Sequence, residues 1–339
     1  MAKREINLAL QGGGAHGAFT WGVLDRLLDA PEIEVAAISG TSAGALNGAA
    51  FKAGLVSGGR EGARENLDWL WQQVMQLDDI SMAQWFAFPG MEVGAIAKVL
   101  EYSPGYAALD LASRMMSPYQ YGALYQNPLE KIVSRFAWDK VCGDAGPDLF
   151  ICATNVRTGK IRVFRDAEIS SDVIMASACL PTLFQAVEVD DEHYWDGGYT
   201  GNPALFPLYE PAYPDDIVIV NINPLERPDV PKTPQDIQNR INEISFNTSL
   251  LRELRAVNFV KRLLAQGDLK EGAFKDVNVH MIADDALMNE LSVATKLVPQ
   301  PYVIAKLKEA GQRACDRFLD DHGDKIGVEG SVDLVEMFS

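Results

Sequence analysis

The chain has 339 residues, and its 47 Asp and Glu against 30 Lys and Arg give a formal net charge of −17. That balance argues against a nucleic-acid partner, whose phosphates require a basic surface, and against firm attachment to anionic bilayers. A hydrophobic content of 47% excludes a disordered chain and suffices for a packed core.

Cys142, Cys152, Cys179 and Cys315 form no CxxC pair, which fits reduced core thiols in a cytoplasmic protein better than a disulfide framework. Lys3 and Arg4 precede an apolar stretch that Gln11 and three glycines soon break, so no signal peptide is expected. No apolar run reaches the roughly 20 residues of a spanning helix.

In chain order, Ile6 to Leu10 reads as a buried strand stopped by Gly12, Gly13 and Gly14. Phe19, Val23, Leu24, Leu27 and Leu28 then recur at helical spacing up to Pro31. Val35 to Ile38 is a second strand, followed by Gly40-Thr41-Ser42-Ala43-Gly44 and a helical segment of small residues. Two successive strand, turn and helix units predict a parallel sheet flanked by helices.

Between about residues 77 and 127 the chain gathers Met82, Trp85, Phe86, Phe88, Met91, Tyr102, Tyr106, Met115, Met116, Tyr119, Tyr121 and Tyr125. Such a set suits an adaptable apolar surface over a pocket, or an insertion that fills its own core. Asn127 and Pro128 open a helix expected to reach about Trp138. Hairpins are predicted from Leu149–Thr154 with Ile161–Phe164, and from Val187–Val189 with Tyr194–Trp195. A short helix lies over Ser170 to Cys179, and Ile217 to Ile222 is a continuous apolar strand. Beyond the prolines at 228, 231 and 234, long helical patterns dominate, with one strand at Val277 to Ile282.

Gly40-x-Ser42-x-Gly44 fits a nucleophile elbow, in which a serine sits on a strained turn from strand to helix. Gly12-Gly13-Gly14-Ala15-His16-Gly17 also fits the dinucleotide pattern GxGxxG, but the next strand ends in Ser39-Gly40-Thr41 rather than an acidic residue. Its amides, at a helix N-terminus, are better placed to hold an oxyanion formed by Ser42. A serine needs a base. His280 and His322 come late enough for a Ser, Asp, His order, whereas His16 reads as orienting or structural and His193 as exposed. Asp196, in Asp196-Gly197-Gly198, competes with them as the base if partial burial raises its basicity.

Four blocks in order resemble the signatures of patatin-like phospholipases: Gly12 to Gly17, Gly40 to Gly44, Ala176-Ser177-Ala178-Cys179-Leu180-Pro181-Thr182-Leu183-Phe184, and Asp196-Gly197-Gly198. The resemblance spans roughly Ile6 to Ile222. It implies a three-layer α/β/α fold with a mostly parallel sheet, and a Ser-Asp dyad without histidine. Ser42 maps to the nucleophile, Asp196 to the general base, and the oxyanion donors to the amides around Gly13, Gly14 and Ala15. Gly12, Gly17, Gly40, Gly44, Gly197 and Gly198 support the motifs. Many members carry Arg or Lys where this chain has His16.

The expected organisation is a catalytic domain over residues 1–230 and a mainly helical region over 231–339 packed on it. The expected activity is hydrolysis of lipid carboxylic esters through an acyl-enzyme, with no cofactor, no metal and no nucleic-acid partner. Lysophospholipid, neutral lipid, thioester and polyhydroxyalkanoate-type oligoester all fit as substrates. The alternatives are a Ser-His-Asp esterase using His280, and a non-catalytic lipid-binding or regulatory protein. Arg252, Arg255 and Arg262 are expected on a solvated helix face, and Glu188, Asp190, Asp191 and Glu192 in an exposed acidic hairpin.

Overall fold

The computed structural model describes residues 3–76, 92–270, 272 and 274–339. The expectations for Met82, Trp85, Phe86, Phe88 and Met91 fall outside the described residues. Period-two alternation along the strands builds two cores. In β1 (Arg4–Leu10), Ile6, Leu8 and Leu10 enter one core while Ala9 enters the other. A 3-10 turn over Gly14–Gly17 then leads into α1 (Ala18–Leu27), so the first helix begins in a tighter turn than its periodicity suggests. β2 (Ile33–Gly40) feeds α2 (Ala43–Gln76), which bends where Gly58 and Gly59 leave helical dihedrals.

Next come α3 (Val93–Glu101) and α4 (Pro104–Met115), the latter capped by the Ser103 hydroxyl accepting from the Tyr106 amide. Asn127 Oδ1 accepts from Leu129 N at 3.0 Å, but the helix begins only at Glu130, with Leu129 rather than Asn127 at its N-cap. The long helix to Trp138 does not form. Two single turns, α5 (Glu130–Val133) and α6 (Trp138–Val141), flank a break where Phe136 packs between Trp69 and Trp138, and burial of these rings outweighs helix continuity.

β3 (Asp148–Asn155) and β4 (Ile161–Arg165) form the first predicted hairpin, α7 (Ser171–Ser177) follows, and β5 (Val187–Val189) with β6 (Glu192–Asp196) forms the second. The turn of that acidic hairpin, Asp190 and Asp191, is exposed. β7 (Asp216–Val220) precedes α8 (Pro234–Gln266), which Thr233 and Pro234 open and left-handed Gly267 closes. Arg252, Arg255 and Arg262 lie on the exposed face of α8, with Arg255 over the Phe338 ring. The chain ends with β8 (Asn278–Ile282), α9 (Asp285–Glu290), α10 (Val293–Leu297), α11 (Pro301–His322) and α12 (Leu334–Met337).

The strand order is β5-β6-β3-β2-β1-β7-β8, with β4 also on β3. β3, β2, β1, β7 and β8 are parallel. Leu149 and Ile151 of β3 and Val218 and Val220 of β7 join the core under α1, α2, α7 and α11. Phe150, Ile217 and Ile219 join the opposite core under α8 and α12. The result is three layers, helix on sheet on helix. α11 presses on α1 so closely that a Cβ on Gly311 would stand 2.0 Å from the Phe19 carbonyl oxygen. β8 and α11 are thus built into the same sheet and core as the earlier strands.

Candidate active site

β2 ends at Gly40, and the Thr41 amide donates to the Leu10 carbonyl at 3.2 Å, holding the turn against β1. Ser42 follows with φ of 53°, a left-handed conformation that costs a side chain about 1–3 kcal/mol. Its amide donates to Ser177 Oγ at 2.9 Å, and its carbonyl accepts from Leu46 in the first turn of α2. A Cβ on Gly44 would lie 2.1 Å from the Leu10 carbonyl oxygen, so only glycine lets α2 start this close to β1. The sequence pattern and the strained turn therefore coincide.

Asp196 arrives from the other direction. β4 occupies one edge of β3, opposite Phe150 to Thr154. On the remaining edge, β2 pairs until Gly40 stands opposite Ile151, and β6 takes over with Asp196 opposite Ala153. β6 runs antiparallel to β3, so β2 and β6 point at each other, their last residues separated by about 7 Å of strand. Asp196 is 1% exposed and Ser42 8%. The Asp196 amide donates to the Cys179 carbonyl at 2.8 Å, and its Oδ1 accepts from the Gly198 amide at 2.7 Å. Burial pushes its carboxyl up to about 7, against the Gly198 amide and the Ser42 hydroxyl, which both favour the ionised form.

The glycine loop completes the site. Gly12 donates to Asn202 Oδ1 at 2.7 Å and its carbonyl accepts from Asn223 Nδ2 at 2.9 Å. Gly14 has φ of 58°, and a Cβ there would stand 2.3 Å from the Lys296 carbonyl oxygen. His16 is buried, with Nε2 2.8 Å from Thr295 Oγ1. Burial and then the charge of Lys296 hold its imidazole well below the usual range, so it is neutral, and its role is to tie the loop to α10.

Ser42, Asp196, Gly13, Gly14 and Ala15 all line one cavity of about 340 Å³. Leu46, Leu70, Trp71 and Val74 of α2, Leu180, Leu183 and Phe184 after α7, Phe246 of α8, and Val293 and Leu297 of α10 make its walls apolar. Among the described lining residues Asp196 and Lys296 are the charged ones, and there is no histidine.

Two expectations change here. Residues 92–127 do not line the cavity: Met115 is 74% exposed, and the hydroxyls of Tyr119 and Tyr125 instead accept from the Ala186 and Gln185 amides, bracing the chain behind Phe184. Nor is His280 brought to Ser42. It is enclosed between β8 and α11, with Nε2 2.9 Å from Asp216 Oδ1, Nδ1 3.2 Å from Ser331 Oγ and its ring against Phe318. His322 also neighbours Phe318, and His193 lies beside Glu188 on the second hairpin. Sequence reasoning missed Asn202, Asn223 and Lys296 as loop supports. Asn202-Pro203 and Asn223-Pro224, each beside a strand or signature block, are the only local signal they leave.

A strained serine facing an apolar cavity, beside a buried carboxylate at the strand ends of a three-layer α/β/α sheet, defines a hydrolytic α/β enzyme. The chain belongs to the patatin-like phospholipase family, whose model matches residues 8–209. By that membership it is a hydrolase of lipid ester bonds. Among solved structures it is similar to VipD from Legionella pneumophila, at 14% identity and a TM-score of 0.43, covering 94% of this chain and 67% of that one. It is also similar to a chain of the heterodimeric ExoU-SpcU complex from the type III secretion system of Pseudomonas aeruginosa, at 19% identity and a TM-score of 0.28, covering 94% of this chain and 61% of that one. The curated proteins contain no match. Among the described residues no helix is long and apolar enough to cross a membrane.

Proposed function

We propose that the protein cleaves carboxylic esters of lipids through a Ser42-Asp196 dyad and an acyl-enzyme. Asp196 takes the Ser42 proton as Oγ attacks the carbonyl carbon, and amides of Gly13, Gly14 and Ala15 stabilise the oxyanion. Collapse of the intermediate expels the alcohol, which takes the proton back from Asp196. Water, deprotonated by Asp196, then attacks the acyl-Ser42 ester, releasing the fatty acid and free serine.

The observation that carries this reading is the meeting of β2 and β6, which brings Ser42 and a carboxylate of raised basicity to one cavity. At about 340 Å³ with apolar walls, the cavity suits an acyl chain rather than a charged metabolite. Three buried cysteines and half-buried Cys142, all unpaired, support a reducing, cytoplasmic setting. No metal or cofactor enters the scheme.

Labelling with a fluorophosphonate probe tests the nucleophile: wild type is expected to label and Ser42→Ala not to. A wild type that binds lipid but neither labels nor hydrolyses a panel of acyl esters would be a binding protein instead. The same panel, varied in chain length and head group, sorts phospholipid, neutral lipid, thioester and oligoester substrates.

A further inference from the structure

The glycine loop cannot draw positive charge from its own side chain, since His16 is buried and neutral. The Thr295 hydroxyl donates to the Ser292 carbonyl at 2.7 Å, so His16 Nε2 donates to Thr295 while Nδ1 has no partner. A cation does reach the loop from α10. The Lys296 carbonyl fills the space over Gly14, and its ammonium donates to Asn223 Oδ1 at 2.7 Å. The same Asn223 side chain donates to the Gly12 carbonyl at 2.9 Å and to Gln11 Oε1 at 3.1 Å. Lys296 therefore holds the loop at two points, by its backbone at Gly14 and through Asn223 at Gly12.

Its charge is not spent on a carboxylate. The one that acts on it, Glu243, is bound by Arg227 at 2.8 Å and by Arg240 at 3.3 Å. An ammonium in an apolar cavity wall costs free energy that its hydrogen bond to Asn223 Oδ1 offsets only in part.

We propose that Lys296 is a positioning residue for ester hydrolysis: through Asn223 and the loop backbone, its ammonium sets the amides of Gly13, Gly14 and Ala15 and adds the positive potential that the oxyanion needs. This rests on the acyl-hydrolase reading above. Burial lowers the Lys296 ammonium to about 8, with Glu243 raising it and Arg227 lowering it further. The charged and titratable groups around it are thus Glu243 and Arg227, with neutral His16 on the loop and Asp196 on the cavity wall. Activity follows as a bell, rising as Asp196 ionises near pH 7 and falling as Lys296 loses its proton near pH 8.

The experiment measures kcat and KM against pH on a soluble chromogenic acyl ester for wild type, Lys296→Met and Lys296→Arg. Lys296→Met is expected to lower kcat about tenfold at pH 7.5, with KM within about twofold and no alkaline limb. Lys296→Arg is expected to keep kcat within about threefold of wild type and to move the alkaline limb above about pH 9. Melting of Lys296→Met should stay within about 5 °C of wild type, since relief of a desolvated charge offsets the Asn223 Oδ1 left without its donor. A Lys296→Met kcat within twofold of wild type, an unmoved alkaline limb in Lys296→Arg, or a loss of more than about 5 °C in Lys296→Met melting would each overturn the proposal. A wild type that neither labels with fluorophosphonate nor turns over ester overturns the hydrolase reading itself.

Discussion

Asp216 and Asp196 are both buried carboxylates beside hydroxyl or imidazole partners, and of these two only Asp196 faces space. Asp216 opens β7 and holds His280 at 2.9 Å and the Gly327 amide at 2.9 Å, while His280 reaches Ser331 at 3.2 Å. The set has the members of a Ser-His-Asp triad, yet it is packed between strand and helix. Asp196 also has two partners, one backbone amide and the Ser42 hydroxyl, but it borders a cavity. Residue types alone therefore do not mark a catalytic group. Position beside open volume separates the two, and burial there raises the basicity of Asp196.

Asp196→Asn tests that contrast most strongly. It removes the proton acceptor but keeps the shape, so kcat on an acyl ester should fall about 10³-fold or more while circular dichroism is unchanged. A folded variant with near-wild-type turnover would dissolve the distinction between the two carboxylates.

The pH response follows from the same group. Its folded value of about 7 lies above the ordinary 3.8, so between those pH values the folded protein holds a proton that the unfolded chain has lost. The stability from this group is full below about pH 3.8 and is lost as pH rises through about 7. The ionised form that the proposed mechanism requires accumulates as pH rises through about 7. From pH 5 to pH 6, kcat should rise about tenfold, and from pH 5 to pH 8 the melting temperature of Asp196→Asn should gain on that of wild type. Equal melting of the two proteins at both pH values would show that Asp196 is not desolvated.

His280→Ala probes the other carboxylate. Removing the imidazole leaves Asp216 buried with the Gly327 amide, and the expected cost is about 2–4 kcal/mol of stability, read by chemical denaturation. Activity per folded molecule should stay within about twofold. If His280→Ala instead damages kcat as Asp196→Asn does, the cavity is the wrong criterion.

How much of this was legible in the sequence depends on distance along the chain. The strand, turn and helix units around Gly12 and Ser42 were readable because their period and their glycines are local. The Asp196 turn was readable for the same reason. The residues alone left Asp196 and His280 both open as the base, and the family resemblance favoured Asp196; what the sequence hid is that β2 and β6 share one edge of β3 and that His280 faces α11. Lys296 stayed hidden because it meets Asn223 across 73 residues, and Asn202 because it meets Gly12 across 190. The described part of the aromatic segment, residues 92–127, was hard to place for a related reason. Composition says that tyrosines and methionines are abundant there, but not that Tyr119 and Tyr125 would turn their hydroxyls to the chain behind Phe184 while α2, α8 and α10 form the cavity.

Ser177 gives the smallest and finest test of the contrast. Its hydroxyl accepts the Ser42 amide at 2.9 Å, from α7 into the turn that holds Ser42 at positive φ. Ser177→Ala removes one neutral hydrogen bond, about 1 kcal/mol, which in a chain of this size lowers the melting temperature by only about 1–2 °C. In the His280 network such a loss would register in stability alone. Beside the cavity it also loosens the proposed nucleophile, and small misplacement of a reacting atom is costly in rate, so kcat should fall about five- to tenfold with KM little changed. A melting shift with unchanged kcat would mean that the turn is held by Gly44 against Leu10 and by the Thr41 amide without help from α7.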